Sequence, residues 1–303
     1  ETARRRPRQN ILIVLMMYEI LHRLEYRYSA PVYLEPHLLH LLPRSDVFQR
    51  VAHFALRVEP EPLRTTQITD ALGNPAHELW FGGLTDRLIL EASSRVEITP
   101  RNPFDFLLRD GSQRLPVRYS PAAAAMLQPY LSGKKQDTNV VEFAAAAANR
   151  AGQDIVPFLS ELCRQTYRHM RHASREGDTH WSPEKVLAEG TGACRDLAIF
   201  FIACCRSQGL AARFTSGYAQ ELSSAPEDRD ELHAWAEVYL EGAGWRGYDP
   251  TEGLVVGERH VALASAPDPH AVTPVLGTFR SNTAAAKLST HMRIQPVTLS
   301  SPA

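Results

Sequence analysis

The sequence predicts an α+β protein in which a strand-rich N-terminal half precedes a half of mixed helices and strands. Three observations carry that prediction. From Tyr18 to about Pro100, apolar and polar residues alternate with period two between Pro and Gly breaks, the pattern of short antiparallel strands. Near residue 140 the period changes, where VEFAAAAANRAG opens a run of strong helix formers. Beyond residue 180 a long apolar helical segment is followed by a hairpin pattern. A length of 303 residues allows about two domains.

Residues 1–16 read as an extension upstream of the folded chain. An Arg-rich start and the apolar run Ile11–Met17 look like the beginning of a secretory signal, but Glu19, His22 and Arg23 follow with no small-residue cleavage site. Met16 or Met17 is the more natural initiator. Residues 17–104 form the expected β-rich domain. In VAHFALRVEP, Ala52, Phe54, Leu56 and Val58 share one face, and Gly73-Asn74-Pro75 marks a turn. Residues 105–140 carry Pro103 just upstream and Pro116, Pro121 and Pro129 within, and read as an irregular linker. Residues 141–265 form the expected core. Its first helix ends at Gly152, and its second is capped by Asp154 and carries Phe158, Leu162, Cys163 and Tyr167 on one stripe. Residues 266–303 form a C-terminal extension with a late strand at HMRIQPVTL.

An apolar fraction of 44% and a charged fraction of 22% exclude a disordered, collagen-like or membrane-bundle chain. Lys plus Arg is 33 and Asp plus Glu is 34, so the net charge of −1 argues against a nucleic-acid partner. No stretch approaches the ~18 apolar residues of a spanning helix, so a soluble, cytoplasmic protein without a membrane partner is expected. The four cysteines, Cys163, Cys194, Cys204 and Cys205, are too few for a disulfide scaffold. No cofactor or metal is expected.

One of those cysteines stands apart. Cys194 follows Gly190-Thr191-Gly192-Ala193 and opens the helix DLAIFFIACCRSQG. A thiol there meets the positive end of the helix dipole and unpaired backbone N–H groups, which favour the thiolate and can face an oxyanion. Cys163, Cys204 and Cys205 read as packing residues. His233 opens the strand HAWAEVYL, with Trp235, Glu237 and Tyr239 on its face. Asp249 ends the return strand WRGYD before Pro250.

Hairpin parity tests whether His233 and Asp249 can meet. A five-residue loop over Tyr239–Ala243 pairs His233 directly with Asp249. A three-residue loop over Glu241–Ala243 leaves them diagonal on one face, ~7–8 Å apart at Cα. A four-residue loop puts them on opposite faces unless a bulge intervenes. A catalytic pair therefore requires an odd-length loop or a bulge.

The blocks GTGACRD, LHAWAEVYL and WRGYDPTEG, in this order, resemble the transglutaminase-like cysteine enzymes, most closely the bacterial branch with a β-rich N-terminal region. The resemblance covers roughly residues 140–260. It implies a papain-like core, with the Cys helix packed on an antiparallel sheet, and a triad of Cys194 as nucleophile, His233 as base and Asp249 as orienting acid. It also implies amide-bond chemistry on a peptide or protein substrate through a thioester, ending in hydrolysis or in transfer to an amine. A scaffold protein of the same fold and a thioester-dependent acyltransferase are the alternatives. Asp196, in the first helical turn, reads as structural. The second oxyanion donor is open among Trp181, Gln165 and Tyr167, and Trp235 would wall the site.

Other groupings are weaker. His169 and His172 stand three apart on a helical pattern without a third ligand, and read as a solvated face. The acidic run Glu227–Glu231 lacks the spacing of a calcium loop. The segment from Ala219 to Asp230 could gate a cleft as a loop. Neither oligomeric state nor substrate identity follows from the sequence.

Overall fold

A computed structural model describes residues 16–99, 101–132, 136–174, 179–220 and 232–297. The expected α+β class is what is found: antiparallel sheets with five α-helices among the described residues. The acidic run Glu227–Glu231, the 221–230 part of the proposed gating loop and residues 1–15 lie outside the described residues.

The N-terminal lobe is built on one long strand, Met16–Leu34. It pairs antiparallel with Thr85–Ile98, which in turn pairs with Gln49–Glu59. Pro31 is accommodated where the register with Thr85–Ile98 shifts, between Arg27 and Val32. A second sheet contains His37–Leu39, Pro75–Trp80 and Arg64–Thr69. Leu24, Tyr28, Leu88 and Leu90 from the first sheet pack against Leu39 and Leu79 from the second, so the lobe is a sandwich. The late strand is longer than HMRIQPVTL and starts at Ala286. It runs Ala286–Val297 along the other edge of Met16–Leu34, with Met17 opposite Val297. The C-terminal segment therefore completes the N-terminal sheet.

The stretch expected as an irregular linker contains helix α1 (Pro121–Leu131). Pro121 occupies the first turn, where its missing N–H costs nothing. The Ser120 hydroxyl accepts from the Ala123 N–H at 3.4 Å, and four alanines follow. Pro129 falls late enough that it does not prevent the helix. Proline count alone hid the Ala run and its cap.

The second lobe holds helices α2 (Thr138–Arg150), α3 (Ile155–His169), α4 (Pro183–Glu189) and α5 (Cys194–Ser207). Its sheet is antiparallel, in the order Leu254–Val255, Gly244–Asp249, Leu232–Leu240, Ala212–Ala219, His260–Ala266. Helix α5 is apolar on nearly every side. Leu197, Ala198, Phe200, Phe201, Cys204 and Cys205 are fully buried, and the Phe201 ring stacks on Tyr248 at 5.8 Å. A helix this apolar is a core helix, and it fixes Cys194 against the sheet.

The two lobes are joined at the edge strand His260–Ala266. An edge strand presents unpaired backbone groups, and two side-chain amides of the N-terminal lobe take them. Gln49 accepts from the Ala262 N–H at 2.7 Å and donates to the Ala262 carbonyl at 2.9 Å. Asn74 does the same for Ser265, at 2.8 and 3.1 Å. Beside them Tyr18, Ile20, Val96 and Ile98 share an apolar cluster with Tyr218, Val261 and Leu263 of the core sheet. Buried Glu237 receives Arg44 from the N-terminal lobe and Arg213 from its own sheet, the latter at 2.7 Å.

Candidate active site

Helix α4 ends at Gly190, whose φ of +60° suits a residue without a Cβ. The two-residue strand Thr191–Gly192 then pairs in parallel with Arg171–His172, and α5 begins at Cys194. The buried Asp196 carboxylate ties this entry down. Its Oδ2 accepts from the Ala193 N–H at 3.0 Å and its Oδ1 from the Trp181 N–H at 2.8 Å. This is the returning half of a capping box, and it explains an acid two residues after the cysteine. As the first residue of α5, Cys194 has a backbone N–H with no acceptor inside the helix. Cys194 is partly exposed, whereas Cys163, Cys204 and Cys205 are buried, and burial raises the thiol pKa of all three.

The hairpin loop is three residues long, with Leu240 opposite Gly244. That register leaves His233 diagonal to Asp249 on one face. The side chains close the gap: His233 Nε2 lies 2.7 Å from Asp249 Oδ2. The thiol of Cys194 is in hydrogen-bond contact with the same ring. Since Nε2 is engaged with Asp249, Nδ1 is the nitrogen left for the sulfur. The structure thus brings Cys194, His233 and Asp249 into one chain of contacts.

Asp249 is fully buried and completely engaged. Its Oδ1 accepts from the backbone of Thr251 at 2.9 Å and of Glu252 at 3.3 Å. Its Oδ2 also meets His260 Nε2 at 3.0 Å. Burial alone would raise its pKa, but the two histidines hold it far below the usual carboxylate range. For His233, burial opposes a charged ring, yet the charge and hydrogen bond of Asp249, with Cys194 behind them, keep its pKa well above the ordinary value.

Reading the sequence missed His260. It lies near the C-terminal end of the expected core, residues 141–265, and its role depends on the fold that returns His260–Ala266 beside Ala212–Ala219. The signal for it was a histidine opening a short apolar run. The ligand atoms of His233, Asp249 and His260 lie within 4.8 Å of one another, a spacing a metal ion could also use. Here the same atoms are already joined by hydrogen bonds.

A cavity opens over the cysteine, lined by His172, Cys194, Gln220, His233, Thr251 and His260, among others. His172 is exposed, as expected of a solvated face, and also borders the cavity because its strand pairs with Thr191–Gly192. His169 lies apart, bonded to the Gln165 carbonyl at 2.9 Å.

The structure does not bring Trp181, Gln165 or Tyr167 to this lining. Trp181 packs against the core with Lys185 Nζ 4.1 Å above its ring. The Gln165 amide donates to Glu161 Oε1 one turn back at 2.7 Å. Tyr167 is exposed and lies against Gly253, where a Cβ would approach within 2.8 Å of it. Trp235 is buried, with its ring centroid 6.2 Å from His233 and 5.2 Å from His260. It backs the histidines and lines a neighbouring cavity.

Residues 18–97 match the bacterial transglutaminase-like N-terminal region, and residues 142–250 match the transglutaminase-like superfamily core. The chain belongs to the transglutaminase-like superfamily. This transglutaminase-like chain is 28% identical over 294 residues to the uncharacterized protein Rv2569c of Mycobacterium tuberculosis, covering 92% of each. The uncharacterized protein Mb2599c of Mycobacterium bovis matches equally. A crystal structure of a candidate cysteine protease from Cytophaga hutchinsonii superposes with a TM-score of 0.68 at 18% identity, covering 95% of this chain and 92% of that one. That likeness shows a common fold. Among the described residues, no helix of this transglutaminase-like protein is long and apolar enough to cross a membrane.

Proposed function

We propose that the protein is a cysteine-dependent enzyme that cleaves or transfers amide bonds of peptides or proteins through a thioester on Cys194. One observation carries the reading. A partly exposed thiol at a helix start contacts the ring of His233, whose other nitrogen lies 2.7 Å from a buried carboxylate. Three side chains in that relation serve little structural purpose, and they suit nucleophilic catalysis.

The raised pKa of His233 favours an imidazolium facing a thiolate. The sulfur attacks the amide carbon, the C–S bond forms, and the carbonyl electron pair moves onto oxygen. The Cys194 backbone N–H faces that oxyanion. His233 gives its Nδ1 proton to the leaving amine as the C–N bond breaks, which leaves a thioester. Water or a second amine then loses a proton to His233 and attacks. Collapse of the second tetrahedral adduct returns the thiolate. Asp249 stays ionised throughout and keeps the proton of His233 on Nε2. We place the reaction in the cytoplasm, where a free catalytic thiol stays reduced.

The test is turnover of a panel of peptides and glutamine amides, with and without a fluorescent primary amine. The wild type is expected to release ammonia or amine, and Cys194→Ala is expected to lose this at unchanged thermal stability. Incorporation of the fluorescent amine assigns transamidation, and its absence with continued amide cleavage assigns hydrolysis. Turnover by Cys194→Ala equal to wild type overturns the proposal.

A further inference from the structure

A second cavity lies between the N-terminal lobe and the core sheet. It shares His260 with the cysteine cavity, but neither Cys194 nor His233 lines it. Its apolar walls include Phe48, Trp235, Trp245 and Val256. The six-membered ring of Trp235 is pressed against Gly217, where a Cβ would come within 2.4 Å of it. The pyrrole edge of that indole is therefore turned away from Gly217.

Three nitrogens on these walls are buried without a hydrogen-bond partner among the described residues: Trp235 Nε1, Arg246 Nε and His260 Nδ1. Buried polar atoms are nearly always paired, so three on one cavity call for an occupant. The indole N–H and the guanidinium only donate, so the occupant must bring acceptors. Arg246 is faced by aromatic rings and not by a carboxylate among the described residues. Its guanidinium lies 5.0 Å from the Phe48 ring and 5.0 Å from Phe106. Three carboxylates line the cavity: Asp46 is paired with Arg44, Glu237 with Arg44 and Arg213, and Glu258 lies on the same lining. Among the described residues no carboxylate forms an ion pair with Arg246. Burial lowers its pKa, and Arg101 nearby adds repulsion.

We propose that this interlobe cavity binds a small carboxylic acid with a flat apolar body. The carboxylate sits on Arg246, with an oxygen in reach of the Trp235 N–H, and the body lies between Trp235, Trp245 and Val256. The aromatic walls supply burial, and the fork of Arg246 matches a carboxylate. The site is distinct from the cysteine cavity, and the proposal does not depend on the reaction assigned above.

The experiment is a calorimetric titration of the whole protein with 2-naphthoate and, separately, with its neutral analogue 2-naphthamide. Cys194 is first alkylated with iodoacetamide, so that the cysteine cavity is blocked. Saturable one-to-one binding of the acid is expected, with the amide at least tenfold weaker. Arg246→Met is expected to weaken the acid at least tenfold with little change in the thermal midpoint, since the guanidinium is half-exposed and no carboxylate pairs with it among the described residues. The acid-versus-amide comparison on wild type needs no variant to fold. The proposal is overturned by no saturable binding of the acid at millimolar concentration. It is equally overturned by equal binding of acid and amide, by binding that Arg246→Met leaves unchanged, or by binding that alkylation of Cys194 abolishes.

Discussion

Glu237 and Asp249 lie on adjacent strands of one sheet, and each is a buried carboxylate held between two basic side chains. Both have pKa values displaced downward, Glu237 to about 2. What differs is the partners. Arg44 and Arg213 around Glu237 cannot release a proton in water, so that cluster is a fixed clamp between lobes. His233 and His260 around Asp249 can, and one of them touches a partly exposed thiol. A depressed carboxylate pKa by itself therefore does not distinguish a structural ion pair from a proton-handling site. The titratability of the partner does.

The sharpest way to break this comparison is to neutralise each carboxylate. Asp249→Asn should reduce turnover by about 10³–10⁴-fold, as loss of an orienting acid does in a comparable triad. Steady-state kinetics on whichever peptide or glutamine amide the panel shows to be turned over measures it. Glu237→Gln should leave kcat of the folded protein unchanged but strand two arginines. The expected loss is about 3–5 kcal/mol of stability, read by chemical denaturation. If Glu237→Gln lowers kcat as much as Asp249→Asn does, the two clusters are not separate in role.

The two clusters should also part in their pH dependence. The Glu237 pKa is lowered on folding, so its contribution to stability is full above about pH 4.5 and is lost as pH falls through about 2. The His233 pKa is raised on folding, so its contribution is full below pH 6.5 and is lost as pH rises through the folded value. The alkaline limb of kcat/KM should accordingly lie above the ordinary histidine range. A limb at or below 6.5 would contradict the imidazolium assignment.

Two smaller effects sharpen the picture. His260→Phe removes one hydrogen bond to a charged group, worth about 1.5–3 kcal/mol. It should lower kcat by roughly tenfold with little change in KM, while His260→Gln, which keeps an N–H, should lose less. Equal losses in both variants would show that the bond to Asp249 is not what matters. Cys204→Ala, deep in α5, should cost about 1 kcal/mol of stability and leave both activity and thiol labelling as they were.

Much of this was legible in the sequence, because it rests on local rules. Cys194 at a helix start follows from the Gly-Thr-Gly-Ala turn before it. The meeting of His233 and Asp249 needed only the parity of a hairpin, and the three-residue loop is one of the lengths that permits it. What escaped was set by long-range pairing. His260 reaches Asp249 only because its strand returns beside Ala212–Ala219 and is pinned by Gln49 and Asn74 from a lobe some two hundred residues away. The C-terminal strand joins the first strand of the chain for the same reason. Gln165 and Tyr167 were candidate donors from one helix, but the Glu161 contact and the packing on Gly253 decide where they point.

The central claim is that Cys194, activated by His233, carries the acyl group. The most direct measurement is acid-quenched turnover followed by peptide mapping of the acyl adduct by mass. The account predicts one thioester, on Cys194, absent in His233→Ala. An adduct on another residue, or turnover with no adduct on Cys194 under conditions that trap thioesters, would contradict it.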